Sequence, residues 1–241
     1  MNTPVFPLTV PPLADDDLHL WAVRLERPYP TPQTLLPLLS ADEQTRAARF
    51  HFDRDRRHFI VTRGLLRLLL GDYLGRAAVD IQFVYGAQGK PALVGDAPLR
   101  FNVAHSHGVA VLGFVRGREI GVDVEQLRPS VDRDMVARRF FSAQEYAVYM
   151  QLALQQRERA FFSCWTRKEA FIKAIGEGLS CPLSSFDVTL HPDEPARLTA
   201  VRSPNTRADQ WQLVSLEPFP GFVAAVMAEM PVWSLRPFTL D

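Results

Sequence analysis

Three carboxylates and one lysine carry the chemistry this chain could do. In Ile120-Gly-Val-Asp-Val-Glu125, the strand period of two sends Ile120, Val122 and Val124 to one face. Gly121, Asp123 and Glu125 fall on the other, so two carboxylates stand side by side. Like charges this close cost energy unless something positive lies between them, and a divalent cation would resolve the repulsion. Gly121 leaves room beside them for a ligand. An edge strand with a solvated outer face accounts for the same residues, and the pattern alone keeps both readings open.

A second constellation lies on the run from Glu158 to Ile175, where Trp165, Glu169 and Lys173 follow at i, i+4 and i+8 and share one helix face. Phe161, Phe162, Phe171, Ile172 and Ile175 remain for burial. Glu169 and Lys173 at this spacing make a surface pair in most helices, worth a few tenths of a kcal/mol. Trp165 in line with them suggests the wall of a partly buried cleft, or a core aromatic.

His105-Ser-His107-Gly108 invites a zinc pair or a serine–histidine couple, but zinc needs further ligands at recognisable spacing and Ser106 is in no nucleophile elbow. A single histidine at a strand end, reaching an anionic group, is the better functional reading; a satisfied turn histidine is the other. Arg54, Arg57 and Arg63 could bind phosphate or simply solvate a helix.

These side chains need a scaffold. Ser40-Ala-Asp-Glu43 is a helix start with a capping box. Asp55 to Leu74 predicts a longer helix with Phe59, Leu66, Leu69 or Leu70, and Tyr73 on a core face and arginines opposite. Strands are expected at Trp21–Leu25, Ile81–Tyr85, Phe101–Ala104, Val109–Val115, Glu119–Glu125, Phe186–Leu190, Trp211–Leu216 and Phe222–Ala228. The runs at 101, 109 and 119 read as a meander, its second turn a hairpin. Gly86-Ala-Gln-Gly-Lys-Pro forbids regular structure and displays Lys90 on a tight turn. Ser130 to Leu154 has helical texture, and Gly176 and Gly178 end the helix from Glu158. Each half thus has a long helix, a loop and a hairpin. Gly108-Val-Ala-Val-Leu-Gly-Phe and Gly221-Phe-Val-Ala-Ala-Val-Met look alike, hinting at a duplicated α+β unit of roughly 110 to 120 residues.

Composition bounds the function. Among 241 residues, 47% are hydrophobic and 22% charged, which excludes a disordered chain or a coiled coil. Twenty-seven basic against 27 acidic residues argue against a nucleic-acid footprint or a charge-driven membrane partner. No apolar run approaches the roughly 18 residues of a membrane span, and Met1 to Asp17 lacks the pattern of a secretion signal. Cys164 and Cys181 are too few for a disulfide framework and read as reduced, so a cytoplasmic location is expected.

Taken together, Gly89-Lys-Pro, Phe101-Asn-Val-Ala-His-Ser106, Ile120-Gly-Val-Asp-Val-Glu125 and Trp165-Thr-Arg-Lys-Glu-Ala-Phe-Ile-Lys-Ala-Ile-Gly-Glu-Gly-Leu179 stand in one order. In that order and spacing they resemble the 4′-phosphopantetheinyl transferases of the larger, Sfp type, over about Phe50 to Leu179. The resemblance implies an α+β pseudodimer of two similar subdomains with the active site between them. Residues 1–116 would form the adenine and phosphate side for coenzyme A, and 117–241 the half with metal ligands and catalytic helix. It further implies transfer of the 4′-phosphopantetheine arm of coenzyme A to a serine of an apo acyl or peptidyl carrier protein. Adenosine 3′,5′-bisphosphate would leave.

On the same comparison Asp123, Glu125 and Glu169 would hold Mg²⁺, or Mn²⁺ through the same oxygens, and Glu169 would deprotonate the carrier serine. Lys173 would contact the pyrophosphate, with Lys168 in support. Lys90 and Pro91 would pack the adenine, His105 would bind the 3′-phosphate, and Arg54 another phosphate, with Arg46 and Arg57 as further candidates. Ala104 stands where the family commonly has serine, leaving only a backbone N–H to donate there. The carrier would dock near Ser130 to Tyr149, meeting Arg138 and Arg139, and with both halves on one chain a monomer is expected. A metal-dependent phosphodiesterase or nuclease, or a non-catalytic coenzyme A or carrier-binding homologue, are the alternatives.

Overall fold

The computed structural model describes residues 9–27, 30–95, 98–129 and 132–240. Part of the stretch from Met1 to Asp17, part of the proline-broken entry and Ser130, where the expected helical run begins, lie outside them. In chain order the elements are β1 (Asp17–Arg24), α1 (Pro32–Leu35), α2 (Ala41–Ala48), α3 (Asp53–Leu74), β2 (Phe83–Tyr85), β3 (Pro91–Leu93), β4 (Leu99–Ser106) and β5 (Val109–Arg116). There follow β6 (Ile120–Gln126), α4 (Arg133–Phe140), α5 (Ala143–Gln151), α6 (Leu154–Ile175), β7 (Phe186–Val188), β8 (Leu198–Val201), β9 (Trp211–Leu216), β10 (Phe222–Glu229) and β11 (Ser234–Leu240).

Two sheets stand face to face between two 22-residue helices. The first has the order β11-β1-β5-β4 and the second β6-β10-β9. Strand alternation builds the layers: Val109, Val111 and Val115 of β5 meet Ile120, Val122 and Val124 of β6 in a core between the sheets. Ala110, Leu112 and Phe114 pack instead with Leu65, Leu66 and Leu69 of α3. Val223, Ala225 and Met227 of β10 pack with Ala170, Phe171 and Ala174 of α6. At Gly113 the sheets approach so closely that a Cβ would lie 2.8 Å from Val122 Cγ1. Asn102 Oδ1 crosses the same seam and accepts the Val122 N–H at 2.9 Å.

The duplication is plainer in structure than in sequence. β1-β5-β4 and β6-β10-β9 share their order, each half has a two-stranded ribbon after its long helix, and Gly75 and Gly176 end those helices in the left-handed conformation. Ser40 N–H donates to Glu43 at the start of α2, and Ser142 N–H donates to Glu145 at the start of α5. Each glutamate then pairs with a buried cation of the long helix, Arg67 at 2.6 Å and Lys168 at 2.8 Å. Each cation also donates to two carbonyls of the segment that follows its helix, Ala78 and Ile81 in one half, Leu183 and Phe186 in the other. The last strand breaks the symmetry, since β11 returns to pair parallel with β1.

The expected meander does not form. β5 is flanked by β1 and β4, so neither edge is free for β6, which crosses to the second sheet and pairs with β10. The helical texture up to Leu154 is two helices broken at Phe141–Ser142, where Ser142 accepts the Glu145 N–H and restarts the chain. Among the described residues no helix is long and apolar enough to cross a membrane.

Candidate active site

β6 and α6 bring the predicted carboxylates and lysine together. Asp123 points from β6 toward α6, is 6% exposed, and its Oδ1 accepts from Lys173 Nζ at 2.6 Å. The contact is possible because Gly121 has no side chain: a Cβ there would lie 2.0 Å from the Ala170 carbonyl. The room expected for a ligand at Gly121 is therefore taken by the α6 backbone, and the glycine serves the helix rather than the substrate. Glu125, two residues on, is half-buried and accepts a hydrogen bond from Ser106 at 2.6 Å.

Burial dominates the electrostatics. It raises the Asp123 carboxyl to about 7 although Lys173 beside it works in the opposite direction, and Glu125 and Glu169 add repulsion. Burial likewise raises Glu169, against the pull of Lys173. Among the described residues no three His, Cys, Asp or Glu side chains stand as a finished cage for an ion. The donor set nevertheless fits a hard divalent cation in kind: three mutually repelling carboxylates, with Asp123 Oδ2 buried and without a hydrogen-bond partner.

The end of β4 and the start of α3 enclose a cavity of about 780 Å³, whose wall carries Arg46, Arg54, His58 and His105 together with Glu26 and Asp55. The His105 ring is open to solvent at the end of β4, yet the protein around it disfavours its charged form and lowers its pKa, with the neighbouring Lys173 ammonium adding to the effect. Arg54 lines this space from the rim, with its side chain 73% exposed and 3.4 Å from Asp55. Arg57 does not line it. His58 is a residue that sequence reading missed, although its i+4 spacing from Arg54 puts both on one helix face. Ala104 is buried in β4 beside His105.

Lys90 is not displayed. Its ammonium is drawn into the joint between the halves, donating to the carbonyls of Lys173 at 2.7 Å and Ile120 at 3.1 Å and to Glu119 at 3.3 Å. Burial lowers its pKa, opposed by Glu119. The glycine turn frees the backbone but leaves a long side chain able to fold back, which the sequence pattern does not reveal. Its stem and Pro91 line a separate cavity of about 430 Å³ with Gly86, Gln88, Phe101 and Gly176.

Lys168 lies outside the cluster altogether. It is fully buried in the second half, paired with Glu145 and 4.3 Å from the Phe186 ring centroid, so no atom of its ammonium is available to a ligand in the cleft. Trp165 is half-buried, stacked on Phe161 and edge-on to Phe140. With Glu125, Arg128, Val136 and Phe161 it lines a groove of about 560 Å³. The exposed Arg138 and Arg139 lie on α4.

Two family models match this chain. One, "4′-phosphopantetheinyl transferase superfamily", covers residues 119–227, and the other, "4′-phosphopantetheinyl transferase, N-terminal", covers 29–114. The 4′-phosphopantetheinyl transferase HetI of Nostoc sp. is 40% identical over 217 residues, 89% of this chain and 88% of that protein. The 4′-phosphopantetheinyl transferase ffp of Bacillus subtilis is 30% identical over 89% of this chain and 93% of its own length. The 4′-phosphopantetheinyl transferase Sfp of Bacillus subtilis is 28% identical, again over 89% of this chain and 93% of its own.

Proposed function

Because the chain belongs to the 4′-phosphopantetheinyl transferase superfamily, we propose that it moves the 4′-phosphopantetheine arm of coenzyme A onto a serine of an apo acyl or peptidyl carrier protein. The observation that carries this reading is the single cluster of Asp123, Lys173, Glu169 and Glu125 beside the cavity at His105 that Arg46 and Arg54 help to line. Such a site can hold both ends of an anionic coenzyme.

In the reaction the serine oxygen bonds to the phosphorus bearing the pantetheine. The P–O bond to the other phosphate breaks, and adenosine 3′,5′-bisphosphate leaves with the bonding electrons. Glu169, kept more basic than an ordinary glutamate by burial, takes the serine proton. Lys173 leans on the pyrophosphate as charge builds on the leaving oxygen. His105, with Arg46, Arg54 and His58 around it, receives the 3′-phosphate, and the Lys90 stem and Pro91 flank the adenine. Asp123, Glu125 and Glu169 would hold Mg²⁺, which neutralises phosphate charge when bound. Lys168 supports this site only by holding α6 in the second core. The groove at Trp165 and the arginines of α4 flank the approach of the carrier. Two free cysteines, one of them buried, suit a reducing cytoplasm, and two halves on one chain suit a monomer.

The test is intact-protein mass spectrometry of an apo carrier protein incubated with coenzyme A, Mg²⁺ and this chain, beside the Glu169→Gln variant. Wild type adds about 340 Da, one phosphopantetheine arm, and the variant adds little. No gain on unrelated carriers, with coenzyme A still bound, makes the chain a binding protein instead.

A further inference from the structure

The carboxylate of Glu125 is the end of a hydrogen-bond chain that starts at Arg128 in the same half and crosses the molecule's central seam through His107 and Ser106. Ser106, buried at the end of β4, lies 2.6 Å from Glu125 Oε2. Its hydroxyl is 2.9 Å from His107 Nδ1, and His107 Nε2 is 2.7 Å from Arg128 Nη1. A guanidinium only donates and a carboxylate only accepts, so the two ends fix every proton between them. Arg128 donates to Nε2, Nδ1–H donates to Ser106, and the Ser106 hydroxyl donates to Glu125. The imidazole is thus the neutral tautomer that carries its proton on Nδ1.

The backbone points the same way. Ser106 pairs with Val109, so His107 and Gly108 form a two-residue hairpin turn with φ of 45° and 79°. Asn or Gly suits the first of those left-handed positions better than histidine does. A residue kept in a less favoured conformation at a site of this kind signals a side chain put to use.

We infer that Ser106 and His107 are positioning residues that fix the Glu125 carboxylate for a divalent cation, an inference that rests on the metal reading above. Oε2 is committed to the chain, and Oε1 makes no hydrogen bond among the described residues. One oxygen is anchored so that the other can bind. The anchor spans both halves, with Ser106 and His107 from the first and Glu125 and Arg128 from the second, so the same turn that presents His105 to the coenzyme also sets a metal ligand.

The experiment measures Mn²⁺ binding directly, by the electron paramagnetic resonance signal of free Mn²⁺, with and without coenzyme A. It compares wild type, Ser106→Ala, Ser106→Thr and His107→Gly, with Tm recorded for each. Loss of such an outer partner costs about 10- to 100-fold in metal affinity, so Ser106→Ala should bind roughly tenfold more weakly, and Ser106→Thr, which keeps the hydroxyl, close to wild type. His107→Gly separates positioning from stability: glycine relaxes the turn, so Tm holds or rises while Mn²⁺ affinity falls. Wild-type affinity in both Ser106→Ala and His107→Gly overturns the inference and leaves the metal reading standing. A wild type that binds no Mn²⁺ in either condition overturns the metal reading, and the inference with it.

Discussion

The ammonium of Lys90 donates to the backbone carbonyl of Lys173 at 2.7 Å, so a turn of the first half caps the last turn of the helix that carries Glu169 and Lys173 in the second. A cation at a helix C-terminus is favoured by the dipole, and here it also satisfies a carbonyl left without an intrahelical donor.

Replacing it exposes that dependence. Lys90→Met keeps the stem and removes the donor. We expect a loss of roughly 1.5–3 kcal/mol in urea unfolding, the usual range for hydrogen bonds that involve a charged group. The KM for coenzyme A should rise as well, because the helix end carrying Lys173 loosens. Unchanged stability would mean that water replaces the ammonium without cost.

Lys168 gives the opposite pattern. Its pair with Glu145 has no exposure to solvent to speak of, at 0% and 2% of the two side chains. Breaking one partner of such a pair costs about 3–5 kcal/mol. Lys168→Met should therefore lower the urea midpoint sharply, while the folded fraction keeps the wild-type KM for coenzyme A. A raised KM in folded Lys168→Met protein would return this lysine to the cleft.

The two lysines show what the sequence makes legible. Period-two alternation puts Asp123 and Glu125 on one face of β6, and the i, i+4 rule puts Glu169 and Lys173 on one face of α6; both patterns depend only on local geometry. Lys90 and Lys168 depend on where a long side chain ends in three dimensions, which no local spacing encodes. The same limit hid the duplicated ion pairs, because Arg67 and Lys168 differ in type although they occupy the same place in their halves. It hid β11 too, which no expected strand covers: Pro237 interrupts its pattern, and its partner β1 and the stacking of Phe238 on Trp21 make it a strand.

Acid should find the β7–β8 ribbon early. Arg202 grips both oxygens of Asp187 and holds its carboxyl below the ordinary value. A depressed acid adds stability above its unfolded pKa, and that contribution is lost as pH falls through the lower folded value. At pH 7 Asp187→Asn should be less stable than wild type by about 1–2 kcal/mol, a figure held down because the Arg202 side chain is half-exposed. Below roughly pH 4 the two unfolding curves should converge. A difference that is constant with pH would assign the effect to packing.

The cavity at His105 makes a graded prediction about the coenzyme. The His105 pKa is lowered by desolvation and by the neighbouring Lys173, so without ligand the ring offers an N–H rather than a full charge. It is nonetheless fixed at the end of a strand, whereas the Arg54 side chain is 73% exposed and must give up freedom to reach a phosphate. His105→Ala should therefore raise the KM for coenzyme A by about tenfold, the equivalent of one hydrogen bond to a charged group, and Arg54→Ala by only a few-fold. Neither change should matter with 3′-dephospho-coenzyme A, which lacks the group the cavity is proposed to hold. If both variants lose as much with the dephospho form, the cavity binds some other part of the coenzyme, and the order of the two effects says which side of it does so.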